Sequence, residues 1–476
     1  MRPQTRDLAQ PAPRVGVRVA DWLVPAFAIL SQYTVPHGSV GVYVMLLYLL
    51  WTMIAGGAVR IHKPMLVLVA LVVIEQLFVA FAMSFGYSDA AAFTNVASIA
   101  AMTLVVSSVA GKTTSEGMYR AYSVVGIVVT CVAIGQFLAT VLLGQRVGAI
   151  PLAPLPEDAS GYWALDSGRP SAFFTEAQTY SSAMLPLVAW SLARRNRRLA
   201  SFVTVGILST SSSLGILLAA ALWVFFLARD RSSRWRAIIA GIAALTLMPV
   251  LLSSGLGLVD FSFEKIASIF RNYSQYTTIS DPGFADSTSY SNYLRLIKGP
   301  ATFFELPPME QLVGIGRYNT AGYISATGRS FSWSPIWPPS EPLVNYMSAG
   351  FGILVEFGVV VGLVYCWVLI RLFRRGTEIQ RVLLVLLLAQ SLVSQFFFNG
   401  LHVFYLLLIF ASGPLDASEY VTVLSESTRG LRRVRPAASG IPAPGGALRL
   451  HGPTSPKSSG GARHILASGP GVRGSR

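Results

Sequence analysis

A small set of charged residues sits where the polar segments of this chain meet its apolar ones. Arg169 opens the segment Arg169-Pro170-Ser171-Ala172-Phe173-Phe174-Thr175-Glu176, which leads into an apolar run through Leu185 and Val188. A guanidinium is always charged and offers a planar fork that matches phosphate oxygens. At the mouth of a helix, however, an arginine opposes the macrodipole, so a purely local stabilising role fits Arg169 poorly. Glu176 begins the run, where a carboxylate is favoured by the positive helix end. A helix-start residue and a general base are both consistent with it.

A second cluster lies in a long polar segment from Gly255 to Ser340, which also holds Arg271 and Arg329. There a short helix is expected over Thr288 to Lys298, with Asp286 or Ser287 as its cap and Gly299-Pro300 as its stop. Tyr290, Leu294 and Ile297 would share its apolar face, and Arg295 and Lys298, three apart, would share another. Two cations on one face can cradle a phosphate or can form an ordinary solvated surface. Spacing does not choose between these.

Downstream, Val313-Gly314-Ile315-Gly316-Arg317-Tyr318 is a glycine-containing turn followed by a third cation. A lone Gly-x-Gly without a strand and helix around it is not a dinucleotide loop. Tyr318, Tyr323, Phe331, Trp333 and Trp337 are able to stack on sugar rings, but the interfacial aromatic belt of a membrane protein is the favoured reading. Glu341, beside Ser340, is the other carboxylate available as a base. The two cysteines offer no credible thiolate metal site.

The elements that must position these residues follow from composition. Of 476 residues, 53% are hydrophobic and 12% charged, with a mean hydropathy of +0.55, far below the charge content of soluble domains. The fold class expected is all-α, a polytopic membrane helix bundle, because the apolar runs are too long for barrel strands. About twelve spans fit the twenty-residue criterion. They run from Asp21 to Tyr33, Val40 to Gly57, Met65 to Ser84, Ala90 to Ala110, Tyr119 to Leu143, Ala177 to Ala193, Leu199 to Ser211, Leu214 to Ala228, Ala237 to Ser254, Leu343 to Leu372, Arg381 to Phe396 and Gly400 to Phe410. Leu199 to Ala228 reads as a hairpin or as one long tilted helix.

The first run follows Arg2, Arg6, Arg14 and Arg18. It lacks a clear small-residue cleavage site and is read as a retained helix rather than a signal peptide. Cys131 and Cys366 both fall inside spans, which excludes a disulfide framework. Glu75 and Glu356 fall deep in spans and must be protonated, paired or facing a wet cavity.

Lysine and arginine set the orientation. The N-terminal arginines, the clusters Arg60 to Lys63, Lys112 to Arg120, Arg194 to Arg198, Arg229 to Arg236 and Arg371 to Arg381, and the tail all fall on one face. That face is expected to be cytoplasmic, with both termini inside. The net charge of +15 is then topology, and nucleic acid is not an expected partner. The organisation expected is a basic N-terminus over 1–20, a membrane domain over 21–412 with outer loops at 145–176 and 255–341, and a basic tail over 413–476. The tail, rich in Gly, Pro and Ser, cannot bury a core of its own.

Four elements in order now resemble a known family. They are the Arg169 to Glu176 segment, the run Leu208-Ser209-Thr210-Ser211-Ser212-Ser213-Leu214-Gly215, the pair Tyr293-Leu294-Arg295 and Leu312-Val313-Gly314-Ile315-Gly316, and Val355-Glu356-Phe357-Gly358. Together they look like the bacterial O-antigen ligase and polymerase (Wzy-type) superfamily, over roughly Trp22 to Phe410.

The resemblance implies a GT-C-like bundle and a glycosyltransferase using polyprenyl-diphosphate-linked oligosaccharides at the outer face of the bacterial cytoplasmic membrane. It implies no cofactor, metal or nucleotide sugar, and a flippase and chain-length regulators as partners beside the lipid bilayer. Residue by residue, Arg169 and Arg295 match the family's two outer-loop arginines on the diphosphate, which Lys298 or Arg317 would assist.

The chain departs from the family pattern in several places. Ala172 stands where glycine is frequent, Ala177-Gln178 where Pro-Ser is, and Ser212 or Ser213 where an arginine is. The histidine that ligases carry before the span after the large loop is missing, with Ser340-Glu341 or Asn345 in its place. The missing histidine favours a repeat-unit polymerase over a ligase. The rival classes are a ligase-type transferase to another acceptor and a transporter of lipid-linked saccharides.

Overall fold

A computed structural model of the chain describes residues 17–35, 38–55, 59–83, 85–109, 112–153, 155, 163, 165, 169–229, 293–392, 394, 397, 399–412 and 420–424. These residues are mostly helical, with two small two-stranded sheets. In chain order the helices are α1 (Val19–Leu30), α2 (Val40–Ile54), α3 (Lys63–Ala82), α4 (Asp89–Val109), α5 (Ser115–Leu143), α6 (Ala177–Ala193), α7 (Arg197–Ser209) and α8 (Ser213–Arg229). After a π-turn at Tyr293–Ile297 come α9 (Lys298–Glu305), α10 (Pro308–Val313), α11 (Thr320–Thr327), α12 (Ala349–Arg375), α13 (Glu378–Ser391) and α14 (Gly400–Ala411).

Every expected span coincides with a helix except Ala237 to Ser254, which lies outside the described residues, as do Arg271, Asp286, Ser287, Tyr290, the N-terminal arginines before Val17 and the tail beyond Leu424. α3, α4, α5 and α12 contain stretches long and apolar enough to cross a membrane. The other coincident helices, such as the 12-residue α1 and α14, are shorter than the roughly twenty residues a free-standing span needs. Shortness goes with burial in two of them. α6 is buried from Ala177 to Leu192 apart from Gln178, and α14 from Leu401 to Ala411, so they form the centre that the longer helices surround.

Local sequence chemistry sets the helix ends. Thr377 and Gln380 form a reciprocal capping box at α13, with Gln380 Oε1 accepting the Thr377 N–H at 2.7 Å. Asn399 Oδ1 accepts the His402 N–H at 2.9 Å to start α14. Gly144, in the left-handed conformation, ends α5. The Leu199 to Ala228 region is a hairpin. It breaks at Ser211, whose φ is +53°, and both arms pack near α6.

The described members of the expected positive clusters gather at one end of the bundle. There Glu116 pairs with Arg120 at 2.8 Å and with Arg194, Arg229 pairs with Glu378, Lys112 Nζ donates to Thr52 Oγ1 at 2.9 Å, and Asp21 Oδ1 accepts the Thr114 N–H at 3.0 Å. At this end β3 (Val59–His62) pairs antiparallel with β4 (Tyr420–Leu424). A second pair, β1 (Thr34–Val35) with β2 (Gly38–Ser39), turns the chain between α1 and α2 at the opposite end.

The described part of the long loop, from Tyr293 onward, forms its own core against the α3–α4 connection. Tyr293, Leu306, Tyr323, Phe331, Trp333, Trp337, Val344 and Met347 pack with Val79, Phe85, Tyr87 and Ala92. Two expectations are corrected here. Gly299-Pro300 does not stop a helix but lies in the first turn of α9, where a proline costs nothing because its missing N–H has no partner in any case. The helix expected over Thr288 to Lys298 is, in its described part, a π-turn over Tyr293–Ile297 followed by a fresh helical start.

The loop also enters the bundle. α12 is interrupted at Gly358 (φ +74°, ψ +172°), which frees carbonyls of the preceding turn. The Ile315 N–H donates to Val355 O at 3.0 Å and the Gly316 N–H to Glu356 O at 3.1 Å, so the glycine turn of the loop replaces the missing helical bonds. Irregular backbone at such depth is tolerated only where protein satisfies it. The approach is close enough that a Cβ on Gly358 would lie 2.2 Å from Leu312 O, and one on Gly314 2.6 Å from Glu356 O.

Candidate functional site

Arg169 and Glu176 stand at the mouth of α6, opposite the basic end. Their segment is held by Gln136 of α5, whose Oε1 accepts the N–H groups of Ser171 (3.2 Å) and Ala172 (2.8 Å). Ile150 N donates to Ala172 O at 2.7 Å, and Gln136 Nε2 donates to Gly148 O. Ala172 adopts φ +50°, a left-handed conformation that favours glycine. A backbone held there by three hydrogen bonds is a positioned one.

Arg169 Nη2 donates to Ser211 O at 3.0 Å, at the strained turn between α7 and α8. Arg295, 126 positions later in the chain (295 − 169), reaches the same mouth: its Nη1 donates to Gln178 Oε1, and Gln178 Nε2 donates to Ser394 Oγ at 2.5 Å. Burial lowers the pKa of Arg169; the neighbouring Glu176 acts against this and Arg295 with it. The two guanidiniums and the carboxylate are therefore electrostatic neighbours, and Arg169 remains a cation. Glu176 is the N-cap residue of α6 but makes no side-chain capping bond, so helix capping does not occupy its carboxylate.

The other residues singled out by sequence divide. Arg317 and Tyr318 line a cavity of about 660 Å³ with Ser31, Thr94 and Gly400. It adjoins the Arg169 segment through Thr175 Oγ1, which donates to Gln32 Oε1 at 3.2 Å, and Gln32 Nε2, which donates to Ser31 Oγ at 3.4 Å. Tyr318 sits at φ +55°, with its N–H donated to Glu356 Oε1 at 3.3 Å.

The two intramembrane carboxylates, noted singly in the sequence, belong to the cluster that fixes this turn. Gln76 Nε2 donates to Glu75 Oε2 at 2.6 Å, while Gln76 Oε1 accepts from Tyr87 Oη at 2.5 Å and from the Arg317 N–H at 3.1 Å. Asn95 Nδ2 donates to Tyr87 Oη at 2.8 Å and to Arg317 O at 3.3 Å. Burial pushes the Tyr87 hydroxyl up to about 12; Asn95 and Arg317 oppose this, and Glu75 and Glu356 add to it. It therefore stays a donor.

Lys298, Trp333 and Trp337 are corrected. Lys298 is fully buried, with Nζ donating to Leu343 O (2.6 Å) and Val344 O (2.8 Å), 4.5 Å from the Trp333 ring centre and 4.9 Å from that of Trp337. An i→i+5 turn advances less per residue than an α-helix, so Lys298 does not share a face with Arg295. Both tryptophans have zero exposure. They serve neither as an interfacial belt nor as an open sugar platform, because their faces enclose the lysine. Glu341 is the N-cap residue of the 3₁₀ turn Pro342–Asn345 and makes no side-chain capping bond there.

Sequence reasoning missed Gln136 and Asn95 among the amides that orient the charged groups, and offered Gln76 only as the neighbour that helps Glu75 form a hydrogen-bonded contact. Gln178 carried a signal only as a departure from the family pattern. The described residues contain no cluster of metal ligands.

Two guanidiniums, an amide and a carboxylate converging at one helix mouth can bind an oxyanion pair and take up a proton beside it. Comparison of the chain with models of known protein families, with curated proteins and with solved structures finds no match. The chemistry of these side chains is therefore the ground for a functional reading.

Proposed function

We propose that the chain is a polymerase of polyprenyl-diphosphate-linked oligosaccharide repeat units, a glycosyltransferase of polysaccharide assembly acting at the outer face of the bacterial cytoplasmic membrane. The observation that carries this reading is the convergence of Arg169 and Arg295, from two distant loops, on the mouth of α6 beside Glu176. Two planar cations at a helix mouth match a diphosphate at the bilayer surface.

In the reaction, a hydroxyl of one lipid-linked unit attacks the anomeric carbon of another. A new carbon–oxygen bond forms, the bond from the anomeric carbon to the diphosphate breaks, and its electron pair leaves with the diphosphate. The hydroxyl proton passes to the Glu176 carboxylate and from there to water. Arg169 and Arg295 stabilise the charge that develops on the leaving group, where preorganised donors have their largest effect. Arg317 and Tyr318, in the adjoining cavity, face the incoming lipid-linked substrate. A flippase that supplies such units and a regulator of chain length are the expected partners.

Arg169→Lys tests the site. Lysine keeps the charge but loses the bidentate fork, so chain lengthening by reconstituted protein should fall nearly as far as with Arg169→Ala, at unchanged membrane yield. Near wild-type product length for the lysine variant would refute diphosphate binding by the fork.

The topology that this function needs has both termini inside and the long loop outside. Reporter fusions after Ser280 and after Ala437 should give opposite signals. Equal signals would overturn the orientation.

The break in α12 favours one rival, since transporters bind substrates at discontinuous helices. Here the loop turn fills the break. Vesicles in which lipid-linked repeats cross the membrane without growing in length would establish the transporter instead.

A further inference from the structure

The cavity of about 660 Å³ beside Arg317 is polar at its mouth and apolar inside. It lies between α2 and α4 at the end of the bundle opposite the positive clusters, and along α4 it runs from Phe93 to Met102, about 13 Å at the rise of an α-helix. Ser31, Thr34, Ser39, Thr94 and Asn399 give the mouth hydroxyl and amide groups, and Leu46, Ala101 and Met102 close the inner end. Its volume is that of a site for a small organic ligand.

Arg317 is not the group that sets the chemistry of this space. Its guanidinium lies 4.8 Å over the Tyr318 ring and its charge faces the Glu356 carboxylate, so the cation is engaged within the protein. Tyr318 is the group presented to the cavity. Of the aromatic residues able to stack on sugar rings, Tyr323, Phe331, Trp333 and Trp337 are buried and Tyr318 is exposed. It is also held in place, at φ +55°, by its N–H on Glu356 Oε1 at 3.3 Å and by the guanidinium on its ring. Strain of this kind persists only where the surroundings fix it, and it collects at ligand sites. A fixed aromatic face beside hydroxyls and an amide matches a sugar ring, which has an apolar C–H face and a rim of hydroxyls, better than it matches a phosphate.

We propose that this cavity is a subsite for a neutral saccharide, with a sugar ring stacked on Tyr318 and its hydroxyls paired to the polar mouth. That the sugar belongs to the acceptor unit, whose hydroxyl must reach the Arg169 mouth past Thr175 and Gln32, rests on the polymerase reading. The diphosphate then stays with Arg169 and Arg295, and the cavity selects the sugar.

The test uses the full-length protein in phosphatidylglycerol nanodiscs with three photoactivatable probes that share a dodecyl chain and carry the diazirine beside the head: a maltoside, an octaethylene glycol ether and a phosphate. Peptide mapping should find Phe93 to Met102 labelled by the maltoside about fivefold or more above the other two. Tyr318→Gly removes the ring and suits the left-handed backbone, so it should lower maltoside labelling by about five- to tenfold at unchanged membrane yield. Ala97→Phe, at an exposed position of the lining, should lower it as far by filling the space, and it serves if the glycine variant folds poorly. Leu50→Phe, exposed on α2 outside the cavity, should change nothing. Equal labelling by the three probes, phosphate labelling as strong as the maltoside's, or an unchanged maltoside signal in both lining variants would overturn the subsite. So would a loss in Leu50→Phe as large as in Ala97→Phe. Labelling involves no turnover, so the two readings fail separately. Protein that takes the maltoside in the cavity but lengthens no lipid-linked repeats would end the polymerase reading and keep a saccharide site, whereas protein that lengthens repeats without that label would end the subsite alone.

Discussion

Arg295→Ala is expected to lower the turnover of lipid-linked repeats by about a hundredfold or more, the loss typical of removing one preorganised donor to developing charge. The protein should still fold. Arg295 donates to Gln178, but Gln178 keeps its bond to Ser394, so the mouth of α6 remains tied to the α13–α14 connection. Removing Arg295 also removes a like charge beside Arg169, which eases Arg169 electrostatically while leaving the leaving group with one cation. Single-turnover extension by reconstituted protein, compared with membrane yield, separates catalysis from folding. Full chain-lengthening activity in Arg295→Ala would shift the site to Arg317 and its cavity.

Lys298→Ala should do the opposite, costing stability before chemistry. The side chain is fully buried, and its loss leaves the carbonyls of Leu343 and Val344 without their donor and a void between two indole rings. A cost of about 3–5 kcal/mol follows from cavity and unsatisfied-acceptor contributions together. Membrane yield and the melting temperature should fall together. Lys298→Met, which keeps the stem volume, should recover part of the loss.

Burial pulls the Lys298 ammonium down to about 7, whereas a lysine in the unfolded chain holds its proton to about 10.4. Between those values the unfolded state binds more protons, so this group's contribution to stability rises as pH increases through that window. The methionine variant should lack that rise. A Lys298→Ala protein of normal yield with activity as low as Arg295→Ala would place Lys298 on the substrate instead.

Much of the bundle could be read from the chain because lipid-sized apolar runs alternate with arginine clusters, and helix ends such as Thr377 to Gln380 and Asn399 carry their own capping chemistry. The Arg169 to Glu176 segment was legible for the same reason, as polar residues against a long apolar run. The loop was less so. Grouping Lys298 with Arg295 assumed a 3.6-residue period that a π-turn does not keep. Reading Gly299-Pro300 as a stop ignored that a helix can also begin there. An interfacial place for Trp333 and Trp337 is what the sequence alone suggests, because their enclosure depends on Lys298 and Thr302, far off in sequence. The gathering of Glu75, Arg317 and Glu356 is a long-range event that no local pattern announces.

The plugged break in α12 sets an order of events during synthesis. The turn from Gly314 to Gly316 leaves the ribosome before Gly358 does, yet its Ile315 and Gly316 N–H groups are satisfied by carbonyls of Val355 and Glu356. The loop therefore cannot complete its native hydrogen bonding until the downstream helix is in place, even though chains otherwise fold from the N-terminus as they emerge. Truncated nascent chains that end before Val355 should leave the loop open to protease, and chains extended past Gly358 should protect it. Assembly of the long loop would then be a checkpoint on the insertion of α12 itself.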